Sequence, residues 1–358
     1  MWIRVPDYYH RFHCLAGSCP HTCCEKWEVV IDEETALRYF AVPGSLGDRL
    51  RETLLVDEEG DFCFPLAGGR CPFLNQDNLC EIHQQLGQEA TSVTCREHPR
   101  FTEDYGAFRE ISLSASCPAA NTLLLETEAP LTFLEWETQE PAEEMNSWLR
   151  GLLAIRQRMF RELGERTQPL SARLTSCLLL AVQAQDLLEE EQEGLLPRLA
   201  ADWQQPGLRL AEGLGLFPWG LRVLAGLETL DSDWREILRQ GETGALLPQP
   251  EALLERIAGY FLFRYLLKAV NDGDLLGRVQ LCVFGMLTVQ KLAPVCGGLS
   301  EALRRFSCEV EHNEDNLQAL LSAFCKDADL SLAAFFRELE GMGKQKTSLV
   351  ESAEGLHL

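Results

Sequence analysis

Nine of the chain's 14 cysteines lie between Cys14 and Cys117, within a sequence of 358 residues. The densest stretch, FHCLAGSCPHTCCEKW, carries Cys14, Cys19, Cys23 and Cys24. A wider series follows, Cys71-x8-Cys80-x14-Cys95-x21-Cys117. The other five, at 177, 282, 296, 308 and 325, are scattered. Three uses compete for the dense set. Disulfides belong mainly to small secreted domains whose cores are too small to hold themselves. This chain is long, and its opening MWIRVPDYYHRFHC has no apolar run of the kind that directs secretion. A reducing cytoplasm is therefore the expected setting, and there metal or cluster ligation is favoured over disulfides and over unrelated buried thiols. For the five later cysteines the expectation reverses, to buried and inert thiols.

Thiolate sulfur suits zinc, copper(I) or iron–sulfur clusters, whereas magnesium and calcium want oxygen. One zinc takes four ligands. The eight residues Cys14, Cys19, Cys23, Cys24, Cys71, Cys80, Cys95 and Cys117 are too many for one zinc. They could make two four-thiolate sites, or an iron–sulfur cluster and a zinc site. A cluster with fewer than four thiolates leaves an iron open. The spacing contains no paired C-x2-C, so zinc ribbon and finger readings are poor. The C-x3-C-x2-C pattern of radical-type adenosylmethionine enzymes also fails, because Cys24 directly follows Cys19-x3-Cys23. Adjacent side chains point apart in most backbones, so Cys23 and Cys24 serve different sites, or only one of them ligates. Cys63, in the alternating run FCF, reads as a buried strand thiol. His13, His21, His83 and His98 are available nitrogen donors, each more often an ordinary surface histidine.

A formal net charge of −23 argues against nucleic-acid partners, since a polyanion is repelled by phosphate backbones. No run reads as a membrane span. The best candidate, IAGYFLFRYLLKAV, holds Arg264 and Lys268. The length suggests about two domains. Residues 1–125 read as irregular and turn-rich, with a short helix at DEETALRYF capped by Asp32 and a small hairpin around DEEGDFCFPLAGGRCPFL. Little continuous core is expected there, and bound metal would replace it. Residues 126–141 read as a connection. Residues 142–342 read as a helical domain: Trp148, Leu152, Ile155, Met159 and Leu163 form one stripe, and further helices are expected near 170–192, 219–240, 250–271, 274–293, 314–326 and 329–341. Residues 343–358 read as a mobile polar tail. The expected fold is mainly α, with a small irregular metal-bound cysteine-rich N-terminal domain packed on a C-terminal helical domain.

Four motifs in order, HCLAGSCPHTCCEKWEVVID, CPFLNQDNLCEIHQQLG, TCREHPR and SLSASCPAA, resemble the flagellin lysine N-methylase family, which is related to zinc- or iron-chelating cysteine-cluster proteins. The resemblance is densest from Cys14 to Ala120 and continues more loosely through YFLFRYLLKAVNDGD and FSCEVEHNEDNLQALL. It implies methyl transfer from S-adenosylmethionine to flagellin lysines in the cytoplasm, with an iron–sulfur cluster of the 4Fe–4S type in the enzyme and zinc as a further option. Carried over, the ligand candidates are the eight cysteines named above. Trp27, Asp32, Arg96 and Arg100 lie inside the motifs as non-ligands. Arg96 and Arg100 are candidates for holding the cofactor's carboxylate by bidentate hydrogen bonds, or else pair with local acids and screen thiolate charge. Where the family's CR-x-YPR form has tyrosine, His98 stands here, so no catalytic role is assigned to that position. No catalytic base is singled out by the sequence. No Gly-rich strand–turn–helix of the Rossmann kind is present, and GLGLF at Gly213 follows a helical stretch. The alternative of a different class is a non-enzymatic zinc- or iron-binding protein.

Overall fold

The computed structural model describes residues 1–27, 29–57, 60–244 and 248–354, beyond 344 as backbone alone. The expected turn at Glu59-Gly60 therefore lies partly outside the described residues. The strands in chain order are β1 (Trp2–Pro6), β2 (Val29–Ile31), β3 (Leu55–Val56), β4 (Phe62–Phe64), β5 (Arg100–Asp104), β6 (Phe108–Leu113) and β7 (Phe133–Glu137). The chain forms two compact units. One comprises Tyr8–Glu103 and Ile111–Leu123, the other Met1–Asp7, Asp104–Glu110 and Leu124–Leu358. The chain passes between these units four times, just after β1 and within β5, β6 and the helix Pro118–Leu125.

The cysteine-bearing unit contains a small antiparallel sheet in the order β2-β4-β3. Val29 pairs with Phe64, Ile31 with Phe62, and Leu55 with Cys63. Val29 and Ile31 point inward while Val30 is exposed, the alternation that a half-buried strand requires. Asp32 ends β2 and caps the helix Glu33–Ala41, accepting the Thr35 N–H at 3.0 Å. The helix turns Ala36 and Tyr39 inward, and the next helix, Gly44–Thr53, turns in Leu46 and Leu50. With Phe64, Phe73 and Ile82 these side chains make a continuous core. The expectation of little core is thus corrected: the unit buries its own apolar cluster, and the irregular cysteine segments are attached to it.

The helical unit also holds the pairing of β1 with its neighbours, parallel to β6 from Trp2↔Phe108 to Arg4↔Glu110 and antiparallel to β7. Residues expected as a plain connection therefore supply an edge strand, β7. Buried Glu110 meets buried Arg156 through paired hydrogen bonds, one of 2.6 Å to Oε2, and also meets Arg4 at 3.3 Å. The helix Ser147–Leu163 starts at Asn146, which caps Leu149, and buries the predicted stripe through Leu152, Ile155, Met159 and Leu163. Leu170–Glu189, Glu251–Tyr265 and Leu275–Cys296 follow as long helices. Leu275–Cys296 is long and apolar enough to cross a membrane by length and composition, which the sequence reading did not single out. Most of that stretch is buried by its own unit, the position of a core helix. Phe261 lies against Gly285 closely enough that a Cβ there would stand 2.9 Å from its ring.

The expected helix over 219–240 is two helices, Trp219–Ala225 and Trp234–Thr243. The break is held from outside. Buried Glu309 accepts the N–H groups of Leu230 and Asp231, each at 2.8 Å, and Asn316 accepts the Glu228 N–H at 3.0 Å. The backbone past Gly343 is helical, within Leu332–Glu354, and 355–358 lie outside the described residues.

Candidate metal centre

All eight candidate cysteines fall in one unit. Local backbone chemistry explains how they are presented. Residues 24–26 run antiparallel to 69–71: the Cys71 N–H reaches the Cys24 carbonyl at 2.8 Å and the Lys26 N–H reaches Gly69 at 2.9 Å. The Arg70 guanidinium ties this pair to Glu25 and to Asn78, the latter at 2.7 Å. The stretch CPFLNQDNLC then folds on itself. Asn75 Oδ1 accepts the N–H groups of Asp77 and Leu79, both at 2.9 Å, an Asx-type turn that returns Leu79 to Asn75 and pairs Leu74 with Cys80. Cys80 immediately precedes the helix Glu81–Leu86. Cys95 sits in the short helix Val93–Glu97, capped by Ser92 and pinned by Asp32, whose second oxygen accepts the Val93 N–H at 2.8 Å. Asp32 thus joins the two helices that flank β2 in space.

The remaining sulfurs are presented by looser chain. Exposed Cys14 accepts the Ala16 N–H at 3.4 Å, and the Cys19 thiol donates to the His21 carbonyl at 3.2 Å. Cys117 immediately precedes the helix Pro118–Leu125, with its carbonyl accepting Asn121 N–H at 2.9 Å.

Burial dominates the ionisation of these thiols. Burial pushes the Cys71 thiol up to about 12, against the Phe73 N–H, and the charges of Cys24, Cys95 and Cys80 add to the rise. Burial raises Cys95 to about 11, with Cys24 and Cys80 adding. It also raises Cys80, where the His83 and Ile82 N–H groups oppose it and Cys24 adds. Cys117 is raised by burial, opposed by the Ala120 and Ala119 N–H groups, with Cys19 and Cys14 adding. Cys23 and Cys24 share a hydrogen bond. It raises Cys23 and, as the largest effect, lowers Cys24 to about 7. Cys71, Cys80, Cys95 and Cys117 resist ionisation chiefly because burial disfavours the charged thiolate, with neighbouring thiolates adding to the rise. A bound cation reverses that balance, and backbone N–H groups aimed at sulfur favour the thiolate form. The donor set fits a soft metal or cluster in its chemistry. Among the described residues, however, no three Cys, His, Asp or Glu side chains stand close enough together to hold a metal ion as they are.

The two arginines differ. Arg96 spends its Nη1 on the carbonyls of Glu89, at 3.2 Å, and Thr91. The Arg100 guanidinium lies 5.7 Å from the Tyr9 ring centroid and 5.2 Å from that of Phe12, with Nε donating to the Tyr9 hydroxyl at 3.2 Å. Among the described residues no carboxylate pairs with it. Cys63 is buried in β4, opposite Val30 and Leu55. Of the later cysteines, Cys177, Cys282 and Cys308 are buried as expected. Cys296 is half-buried and Cys325 exposed, which corrects the uniform expectation.

The chain is 29% identical over 129 residues to proteins named lysine-N-methylase in Salmonella typhimurium and Salmonella choleraesuis. The same identity and length hold for the flagellar biosynthetic protein FliU of Salmonella muenchen. This chain is similar to lysine-N-methylases. The match covers 34% of this chain, 32% of each lysine-N-methylase and 76% of FliU, so the chain spans about a third of the length of the methylases it matches. No family model and no solved structure matches it.

A second polar cluster, in the helical unit, escaped the sequence reading. It joins the stretches YFLFRYLLKAVNDGD and FSCEVEHNEDNLQALL. The π-helical turn Ser307–Glu311 directs Glu311 onto Tyr260, whose hydroxyl donates to Oε2 at 2.6 Å. Arg264 Nε lies 3.7 Å from Oε1 of the same carboxylate and donates to the Tyr265 hydroxyl at 3.2 Å. Burial, then the Glu311 charge, holds both phenols well above their usual range. The only signal in sequence was charge and hydroxyl groups inside otherwise apolar helices. Every one of these side chains is buried, so the cluster is out of reach of a protein lysine as it stands.

Proposed function

We propose that this chain is a protein-lysine N-methyltransferase that transfers methyl from S-adenosylmethionine to flagellin in the cytoplasm, with an iron–sulfur cluster held by its cysteines. The observation that carries the reading is the gathering of eight cysteines into one unit of a chain similar to lysine-N-methylases. The residues that would hold the cluster come from Cys14, Cys19, Cys23, Cys24, Cys71, Cys80, Cys95 and Cys117. When bound, such a cluster supplies cross-links between the loops that carry these sulfurs and, where fewer than four thiolates ligate, an iron with an open position.

The chain's own residues have two tasks. One is to hold the cofactor's carboxylate. Arg100 is suited to this because Tyr9 and Phe12 support its guanidinium while, among the described residues, no carboxylate pairs with it. Arg96 is already engaged with backbone carbonyls. The other task is to keep the target lysine neutral. With an ordinary pKa near ~10.4, only about one lysine in two thousand is deprotonated at neutral pH. The amine must therefore be desolvated or relieved of its proton by a base. The acidic balance of the chain, at −23, favours approach of a cationic side chain.

Anaerobically purified protein, brown and rich in iron and sulfide, should bind adenosylmethionine in calorimetry and add increments of CH2 to flagellin lysines. Arg100→Ala should weaken cofactor binding by about 1.5–3 kcal/mol, and metal-free protein should neither bind nor methylate. Methylation by metal-free protein would remove the cluster from the reaction. An iron-loaded protein that never binds adenosylmethionine would leave a metal-binding protein without this activity.

A further inference from the structure

We infer that the outer edge of β7 is a docking strand for an extended, lysine-bearing segment of another protein, which pairs with it as an added strand and sets a lysine in the cleft formed by Trp2, Trp136 and Glu137. The inference deepens the proposed function: it rests on that reading for the choice of a lysine-bearing partner, and on the sheet for the place of binding. β7 ends the sheet order β5-β6-β1-β7, so one of its sides has no strand beside it among the described residues. Its bonds to β1 fix which groups look outward. At one end the Thr138 N–H reaches the Met1 carbonyl at 2.7 Å, and at the other the Asp7 N–H reaches that of Thr132 at 2.9 Å. Antiparallel pairs alternate between bonded and non-bonded, so Trp136 and Leu134 turn their peptide groups to Ile3 and Val5. The peptide groups of Phe133, Glu135 and Glu137 therefore face the open side. This is the row of donors and acceptors that strand addition uses.

The side chains select the partner. Leu134, Glu135, Trp136 and Glu137 are exposed in succession. By strand alternation Leu134 and Trp136, 42% and 36% exposed, share one face, and Glu135 and Glu137 share the other with Trp2, which stands opposite Glu137. Trp2, Glu135, Trp136 and Glu137 line a shallow cleft of about 360 Å³. Its wall is fixed before any partner arrives: the Trp2 ring stacks on Phe108 at 4.8 Å and has the Arg4 guanidinium 5.0 Å from its centroid. Arg4 is neutralised by Glu135 at 2.7 Å and Glu110 at 3.3 Å. Glu137 has no ion pair among the described residues and is left to receive a cation. A second copy of the chain fits this edge poorly, because two β7 strands would set glutamates against glutamates in a chain of net charge −23. The fitting partner alternates lysine with apolar residues. Lysine takes the Trp2 and Glu137 face, its methylenes on the indole and its ammonium on the carboxylate, and the apolar side chains lie on Leu134 and Trp136.

The test measures binding of a short synthetic peptide of alternating lysine and valine to the full chain, by fluorescence anisotropy and without adenosylmethionine. The peptide should bind, and more weakly as salt rises. A peptide with glutamate for lysine should not bind. One N-methylated at the amides that face β7 should lose at least about tenfold in affinity, since its charge is kept and its strand bonds are not. Glu137→Gln should weaken binding about two- to fivefold and Glu137→Lys about tenfold. Glu190→Lys, the same charge reversal at an exposed acid outside the sheet, should stay within about twofold of wild type. With flagellin as substrate, Glu137→Lys should raise KM and leave kcat unchanged. Full affinity of the N-methylated peptide would overturn strand addition. Unchanged affinity in Glu137→Lys, or equal binding of the glutamate peptide, would overturn the lysine site. A dimer that Glu137→Pro converts to monomer, by removing an outward donor, would give the edge to a second copy of the chain and overturn the inference as well. Peptide binding without any methylation of flagellin would leave the docking strand standing and remove the proposed reaction, whereas methylation at wild-type KM in Glu137→Lys would do the reverse.

Discussion

Asp32 shows how much one side chain can organise. One carboxylate oxygen caps Glu33–Ala41 and the other holds Val93, two residues before Cys95. Partial burial raises its pKa, but the N–H bonds from Val93 and Thr35 outweigh that and leave it below the ordinary aspartate value. A depressed carboxylate contributes stability that is present above its unfolded pKa, about 3.9, and is lost as pH falls through the lower folded value. Asp32→Ala should cost about 0.5–2 kcal/mol in urea unfolding at pH 7. Asp32→Asn, which can still cap but carries no charge, should flatten the loss of stability below pH ~4. A wild-type acid limb in Asp32→Asn would show that the charge contributes nothing there. The cap was legible in sequence because it acts over three residues. The bond to Val93 was not, because its partners are 61 positions apart.

At the scale of elements, the helices were legible wherever a local stop agreed with the apolar pattern. Asn146 and Asp274 cap the helices that the stripes predicted, Gly297, at φ of 84°, takes the left-handed turn that ends Leu275–Cys296, and Gly273, at 77°, ends the short helix Ala269–Asp272 before it. The break between Trp219–Ala225 and Trp234–Thr243 is different. Its sequence keeps a helical pattern, and the loop is stabilised by the buried carboxylate of Glu309 from a distant turn. Glu309→Ala should leave the N–H groups of Leu230 and Asp231 without that acceptor and cost about 1–3 kcal/mol, read by thermal unfolding. Hydrogen exchange should rise first over 226–233. An unchanged exchange pattern there would mean that the loop holds its shape by itself. The same turn supplies Glu311 to Tyr260, so one short motif serves the loop on one side and the buried phenol on the other.

For the molecule, the two units have different sources of order. The helical unit buries a large aliphatic and aromatic core around Leu275–Cys296. The cysteine unit has the smaller cluster from Val29 to Ile82, and its segment 12–27 contributes little to it. Removing metal from loaded protein should therefore speed amide exchange across 12–27 and 65–99, while Leu275–Cys296 keeps its protection. The strands β2 and β4 should exchange at an intermediate rate, because apolar burial holds them without metal. Equal protection of 12–27 in metal-free and loaded protein would show that ligation adds nothing to the order of this unit.

The sequence by itself determined the quantities that depend on near neighbours and on composition. The apolar period marked the helices, Asp32 marked the start of one of them, and the density of thiols marked the region of interest. Tertiary structure alone decided which cysteine-bearing segments meet. Cys24 is adjacent in sequence to Cys23, yet its backbone pairs with Cys71, 47 positions further along the chain. Spacing along an irregular chain carries no direction, so only the closure of the backbone around Asn75, the pairing of 24–26 with 69–71 and the pinning of Val93 by Asp32 could decide how these segments are placed.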